Sequence, residues 1–151
     1  MAIAENTYAD PSALLKLYLN EPGSLPMARW RTTARGSLAV THHGRVELAN
    51  GISLAAHRGF LDADAYSAAL AALDDDFRLG RYAQVDLLWR ATLRRAGELS
   101  RAFSRELGTR TLDVIHVASA LELKLPVFLT FDARQRNLAR AVGLKNPAPG
   151  L

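Results

Sequence analysis

Residues 109–143, TRTLDVIHVASALELKLPVFLTFDARQRNLARAVG, contain the helix–strand–helix pattern on which the fold prediction depends. Thr111 is a typical N-cap, and the apolar residues that follow it recur at helical spacing. The run VFLTF at 127–131 predicts a buried strand, because it is short and apolar and follows a proline. Asp132 then predicts the N-cap of a last helix that ends before Gly143. A helix, a strand and a second helix in succession are typical of an α/β fold.

The upstream sequence repeats this alternation. Further strands are predicted at 7–9, 38–41 and 82–85, and further helices at 11–19, 24–36, 42–57, 62–73 and 87–107. Asp10, Asp62 and Asp86 stand where the N-caps of three of these helices are expected. Alternating strands and helices predict a central, mostly parallel sheet covered by helices on both faces. We expect a single domain over residues 1–151, with 146–151 as a loose tail.

The composition is typical of a soluble protein and favours a polyanionic partner. Of 151 residues, 49% are hydrophobic, 23% are charged, and the net charge is +4. Such an excess of Lys and Arg attracts phosphates, although a solvated basic surface is the alternative explanation. The absence of Cys excludes disulfides and suits a reducing compartment, so we expect the cytoplasm. No run of 18 apolar residues occurs, so no membrane span is predicted.

Four carboxylates fall at positions that a parallel α/β fold brings together. Asp10 and Asp132 each follow a predicted strand, and ligands of parallel sheets bind beyond the carboxyl ends of the strands. Asp113 and Glu47 lie in early turns of predicted helices. Taken singly, each has an ordinary structural role, as a cap, a partner of the helix dipole or a surface charge. Together they predict one acidic pocket that holds a hard divalent cation.

Polar neighbours complete the predicted pocket. Ser12 lies two residues after Asp10, and Thr130 lies two before Asp132, so both hydroxyls are expected to hydrogen-bond a carboxylate or a metal-bound water. His116 lies one turn after Asp113. It could act as an acid or hold a carboxylate in place, but we interpret it as a hydrogen-bonded, partly buried structural histidine and leave it outside the predicted catalytic set.

Four stretches together resemble the PIN-domain family and, within it, the VapC-type toxins of bacterial toxin–antitoxin pairs. They are YADPSALLKLY at 8–18, RVEL at 45–48, TLDVIHVA at 111–118 and LTFD at 129–132, and the resemblance extends over residues 8–144. It implies a PIN-like three-layer α/β/α domain. It also implies a catalytic set of Asp10, Glu47, Asp113 and Asp132, with Asp10, Asp113 and Asp132 as metal ligands and Ser12 and Thr130 beside them. Pro11 departs from the family pattern, where Thr is common, but leaves the Asp10 carboxylate untouched.

The same resemblance implies an activity and partners. The expected protein is a Mg²⁺- or Mn²⁺-dependent endoribonuclease toxin, inhibited by a cognate VapB-type antitoxin whose tail covers the pocket, and forming a homodimer. Candidate side chains for gripping RNA phosphates are Lys16, Arg45, Arg110, Arg134 and Arg136.

Two other functions stay open at this point. One is a non-catalytic PIN-like module that binds RNA or protein, and the other is a metal-dependent phosphatase with a small substrate. The intact carboxylates favour an enzyme, and the basic charge favours nucleic acid. Met27, Trp30 and the apolar face between Tyr66 and Leu73 offer surface for the homodimer, although packing in the core explains them equally.

Overall fold

Four short strands lie at the centre of the protein in a computed structural model, which describes residues 3–147. They are β1 (Thr7–Ala9), β2 (Leu38–Thr41), β3 (Tyr82–Val85) and β4 (Val127–Leu129). β1 pairs in parallel with β4, and β2 pairs in parallel with β3. β1 also lies beside β2, and a parallel bridge between Ile3 and Arg35 joins the segments leading into them. The strands therefore run in one direction in the order β3–β2–β1–β4, as two hydrogen-bonded pairs rather than one continuous ladder.

Helices connect the strands. They are α1 (Pro11–Leu15), α2 (Ser24–Thr33), α3 (His42–His57), α4 (Ala63–Arg78), α5 (Trp89–Leu99), α6 (Arg105–Leu107), α7 (Thr111–Glu122) and α8 (Ala133–Ala141). A π-helical segment, Ser100–Ser104, joins α5 to α6. None of the helices within residues 3–147 has the length and apolar character needed to cross a bilayer.

The strands carry a hydrophobic core on each face. Successive strand residues point to opposite faces, so Tyr8 and Phe128 pack with α5, α7 and α8 on one side. Ala9 and Leu129 pack with α1, α2, α3 and α4 on the other. This gives helices, strands and helices in three layers. The predicted α/β architecture is confirmed.

Several predicted boundaries are wrong because side chains bond groups other than the expected ones. Asp86 does not cap α5; its carboxylate bonds the His42 imidazole at 2.7 Å, and the helix begins at Trp89. β4 ends at Leu129 rather than at residue 131, because the Thr130 hydroxyl accepts the Asp132 N–H at 3.1 Å and turns the chain.

Three predicted helices also differ from the structure in their ends. α1 is shorter than predicted, since turns replace helix after Leu15. Gly23 is the N-cap of α2, which begins at Ser24 as predicted but ends at Thr33 rather than near residue 36. Arg110 takes the N-cap position of α7, so Thr111 is likewise a first helical residue.

The segment after α8 returns to the sheet. Lys145 pairs with Val127 as a parallel bridge, and Phe128 N–H donates to Lys145 O at 2.8 Å. The Asn146 side-chain amide donates to Phe128 O at 3.1 Å. Of the predicted loose tail, Asn146 is thus tied to β4, and residues 148–151 lie outside the described part of the chain.

Candidate active site

An acidic cavity lies beyond the carboxyl ends of β1 and β4. Asp10 follows β1 directly, and its N–H donates to Leu129 O at 2.9 Å, which places it beside the end of β4. The cavity has a volume of about 590 Å³. Its lining includes all four predicted carboxylates and consists of Asp10, Pro11, Ser12, Leu15, Glu47, Arg110, Thr111, Leu112, Asp113, His116 and Asp132.

Asp10 begins α1 and is held on both carboxylate oxygens. Its Oδ2 accepts from the Ser12 N–H at 3.1 Å and from the Ser12 hydroxyl, while its Oδ1 accepts from Gln135 Nε2 at 3.0 Å. Pro11 at the first helical position suits this arrangement, because it has no N–H to satisfy. These hydrogen bonds fix the carboxylate in one orientation. Asp10 is only 7% exposed.

Asp113 and Asp132 belong to the starts of two other helices. Asp113 lies in the first turn of α7, and its Oδ2 accepts from the backbone N–H of Arg110 at 3.1 Å. Asp132 caps α8, and its Oδ1 accepts from the Gln135 N–H at 2.9 Å. Both carboxylates thus lie at helix N-termini, where backbone N–H groups point towards them.

Arg110 lies between these two carboxylates. Its Nε is 3.3 Å from Asp113 Oδ2, and one terminal nitrogen is 3.7 Å from Asp132 Oδ2. The side chain is 68% exposed, so it reaches the two acidic groups from the solvent side of the cavity. An exposed cation in this position offsets part of the repulsion between them.

Glu47 is held by a different kind of partner. Its Oε2 lies 2.6 Å from His116 Nε2, and His116 Nδ1 lies 2.6 Å from the Tyr8 hydroxyl. Burial raises the pKa of Tyr8, so the phenol keeps its proton. The phenol can then donate to Nδ1, which leaves Nε2–H to donate to the Glu47 carboxylate. His116, only 2% exposed, thereby connects β1 to the predicted catalytic glutamate.

His43 stacks on His116. The two ring centroids are 4.8 Å apart, and the Trp89 ring lies 4.9 Å from His43 in a tilted arrangement. Burial, followed by the neighbouring His116, lowers the pKa of His43 to about 4. His43 is therefore neutral near pH 7.

The two predicted polar neighbours differ in what they contact, and only Ser12 bonds a carboxylate as expected. Ser12 contacts Asp10 through both its N–H and its hydroxyl. The Thr130 hydroxyl donates to Gln135 Oε1 at 2.6 Å and accepts from the Asp132 N–H, so it contacts the amide of Gln135 and a backbone group rather than a carboxylate oxygen.

Gln135 is not among the predicted site residues, although its position in the sequence carries a signal. Gln135 lies three and four residues before Leu138 and Ala139, on the stripe that α8 buries in the core. A polar residue at such a position needs hydrogen-bond partners inside the protein, and this requirement points to a buried polar network.

The predicted RNA-gripping residues do not share one environment. Lys16 Nζ bonds Glu21 and the Pro22 carbonyl. Arg45 stacks on Phe77 and donates to Gln84. The remaining three lie nearer the cavity: Arg110 lines it, Arg134 is 3.8 Å from Asp132, and Arg136 donates to the Thr130 carbonyl at 3.4 Å.

The donor set suits a hard divalent cation. Carboxylate oxygens are the ligands that Mg²⁺ and Mn²⁺ prefer, and four of them line this one cavity. Within residues 3–147, however, no three His, Asp or Glu side chains are gathered closely enough to surround one ion. Arg110 and His116 hold oxygens of Asp113, Asp132 and Glu47 instead. The chemistry of the residues fits a metal, and ligation would require these carboxylates to move closer together.

Comparisons with known proteins agree with this architecture. The family model of the PIN domain matches residues 7–141. Ribonuclease VapC47 of Mycobacterium tuberculosis (strain CDC 1551 / Oshkosh) is 30% identical over 148 residues, which cover 95% of this chain and 96% of that protein. Together with the three-layer fold, these matches show that the chain belongs to the PIN-domain family, as a VapC-type member.

Proposed function

We propose that this protein is a metal-dependent endoribonuclease toxin that hydrolyses RNA phosphodiesters with Mg²⁺ or Mn²⁺. The observation that carries the proposal is the convergence of Asp10, Glu47, Asp113 and Asp132 on one cavity, from four separate segments of the chain. The similar protein named a ribonuclease supports RNA as the substrate, as does the net charge of +4.

Asp10, Asp113 and Asp132 would hold the cation. When bound, it supplies a water of lowered pKa and stabilises negative charge on the phosphoryl group. Glu47, held in place by His116, is suited to orient the attacking water and accept its proton. The exposed guanidinium of Arg110 can move from the carboxylates to an RNA phosphate at the mouth of the cavity.

The proposal includes partners. A VapB-type antitoxin would inhibit the enzyme by covering the cavity, and the toxin would form a homodimer in the cytoplasm, where its RNA is found. Met27 and Trp30 do not support the dimer, because both are buried in the core of the chain itself. Support for the partners therefore comes from family membership alone.

The direct test is cleavage of RNA with Mg²⁺, with Mn²⁺ and with EDTA. We expect cleavage only with metal, and a loss of at least about 100-fold in Asp10→Asn and Asp113→Asn. Asn keeps the shape and a hydrogen-bond acceptor at each helix start, so folding should be preserved. Asp62→Asn, at the start of α4 and outside the cavity, is the matched control. Cleavage at the wild-type rate in both site variants would refute the site, and RNA binding without cleavage would instead favour a binding module.

A further inference from the structure

A buried glutamine connects the segments that form the cavity. Gln135 lies in the first turn of α8 and is 0% exposed. Its Nε2 donates to Asp10 Oδ1 at 3.0 Å, its Oε1 accepts from Thr130 Oγ1 at 2.6 Å, and its N–H donates to Asp132 Oδ1 at 2.9 Å. The same Nε2 lies 3.5 Å from the carbonyl oxygen of Asp113. Gln135 thus contacts the ends of β1 and β4 and the starts of α7 and α8.

The hydrogen-bond pattern determines which way the Gln135 amide faces. The Thr130 hydroxyl already accepts the Asp132 N–H, so its own hydrogen is available to donate to Oε1. That contact directs Nε2 towards Asp10, whose carboxylate can only accept when ionised. A flipped amide would place Oε1 against the carboxylate, with two acceptors facing each other. Thr130 therefore acts on Asp10 through Gln135.

The sequence at the start of α8 explains why the Gln135 side chain is available to bond Asp10. Asp132 and Gln135 occupy the N-cap and third positions of α8, an arrangement in which Gln commonly bonds back to the N-cap N–H. Here the Thr130 hydroxyl takes that N–H instead. The Gln135 side chain is thereby released from capping and reaches across the sheet edge to Asp10.

We propose that Gln135 is a positioning residue, which holds the Asp10 carboxylate in the orientation needed to bind the cation, with Thr130 setting the direction of its amide. This inference rests on the proposed metal-dependent function and adds to it a residue outside the predicted catalytic set. The Gln amide supplies both a donor for Asp10 and an acceptor for Thr130. An ionised Glu would present an acceptor to Asp10, and Met would present no donor.

The test compares Gln135→Met, Gln135→Glu, Thr130→Val and Thr130→Ser with the wild type. Asn137→Leu, which removes an exposed amide from the same helix, is the matched control. Three quantities are measured: Mn²⁺ affinity by calorimetry, kcat and KM for RNA, and unfolding by urea. We expect about a 10- to 100-fold loss of Mn²⁺ affinity and of kcat in both Gln135 variants. Thr130→Val should show a smaller loss, and Thr130→Ser should restore wild-type behaviour because it keeps the hydroxyl.

A structural role alone would lower stability without changing Mn²⁺ affinity in the folded protein, and that result would overturn the proposal. Wild-type Mn²⁺ affinity in Thr130→Val would overturn the part assigned to Thr130, and this variant also serves if Gln135→Met does not fold. If the wild type cuts no RNA but Gln135→Met still weakens Mn²⁺ binding, the positioning role stands and the proposed reaction fails. A wild-type chain that binds no Mn²⁺ overturns both.

Discussion

His116 Nε2 lies 2.6 Å from Glu47 Oε2, and this contact joins α7 to α3 at the cavity. The histidine is fixed from its other nitrogen by the Tyr8 hydroxyl, so the glutamate has a rigid, buried donor behind it. His116 was not one of the predicted catalytic residues. The geometry shows a direct contact with a member of that set, and this contact has a measurable consequence.

Removing the donor should release Glu47. In His116→Leu we expect kcat to fall about 10- to 100-fold, while KM for RNA changes little, because the side chain acts through Glu47. Tyr8→Phe should cost about 1–3 kcal/mol of unfolding free energy, since it leaves His116 Nδ1 buried without its donor. Steady-state kinetics measure the first effect, and urea unfolding measures the second. His57→Gln, on the exposed end of α3, is the control, and a wild-type kcat in His116→Leu would contradict the role.

Asp132 caps α8 and is also a proposed metal ligand, and substitutions can separate the two roles. Asp132→Ala removes the acceptor for the Gln135 N–H and should cost about 1 kcal/mol of stability. Asp132→Asn keeps that acceptor, so its stability should stay within about 0.5 kcal/mol of the wild type. Both variants should lose RNA cleavage, because both lose the negative charge.

The control for Asp132 is Asp62, which caps α4 by accepting the Ala65 N–H at 2.8 Å. Asp62→Ala should lose a similar amount of stability and keep its cleavage rate. Chemical unfolding and RNA cleavage measured on the same preparations give the comparison. Full cleavage by Asp132→Asn would show that Asp132 serves only as a cap.

Arg110 should influence how strongly a cation stabilises the fold. Without its guanidinium, Asp113 and Asp132 repel each other more, so Arg110→Ala should melt a few degrees lower in EDTA, corresponding to about 0.5–1 kcal/mol. Added Mn²⁺ should then raise the melting temperature more in the variant than in the wild type. Thermal unfolding with and without Mn²⁺ measures this difference, and Arg94→Ala on α5 is the control. Equal Mn²⁺-induced shifts in all three proteins would argue against Arg110 as a competing cation.

His43 should make stability depend on pH. Its pKa is lowered from 6.5 to about 4, first by burial and then by His116, and within residues 3–147 no acceptor reaches its buried Nδ1. Between about pH 4 and pH 6.5, His43 therefore binds a proton more readily in the unfolded chain than in the folded one. The stabilising contribution is present above pH 6.5 and is lost as the pH falls towards 4.

We expect this contribution to be about 1 kcal/mol, because water still reaches part of the ring and weakens the effect. Urea unfolding from pH 7.5 to 4.5, compared between the wild type and His43→Gln, isolates it. The variant should lose less stability over this interval. Parallel curves for the two proteins would rule out His43 as the cause.

The features that were predicted correctly depend on residues close together in the sequence. The start of α3 and the caps Asp10, Asp62 and Asp132 all follow from side chains that bond N–H groups two or three positions away. Asp86 satisfied the same local rule and failed, because His42, 44 positions earlier, binds its carboxylate. Gln135 was missed for a related reason. Its partner Asp10 lies 125 positions upstream, and no pattern within α8 identifies that partner.

That separation between Asp10 and Gln135 also has a consequence during translation. The first carboxylate of the cavity is made near the beginning of the chain, but its support on α8 is made last among the parts of the site. A nascent chain cannot complete the cavity until residue 135 has left the ribosomal exit tunnel. Until then Asp10 lacks the amide donor to its Oδ1, and a fragment that ends before β4 lacks Thr130, Asp132 and Gln135 altogether.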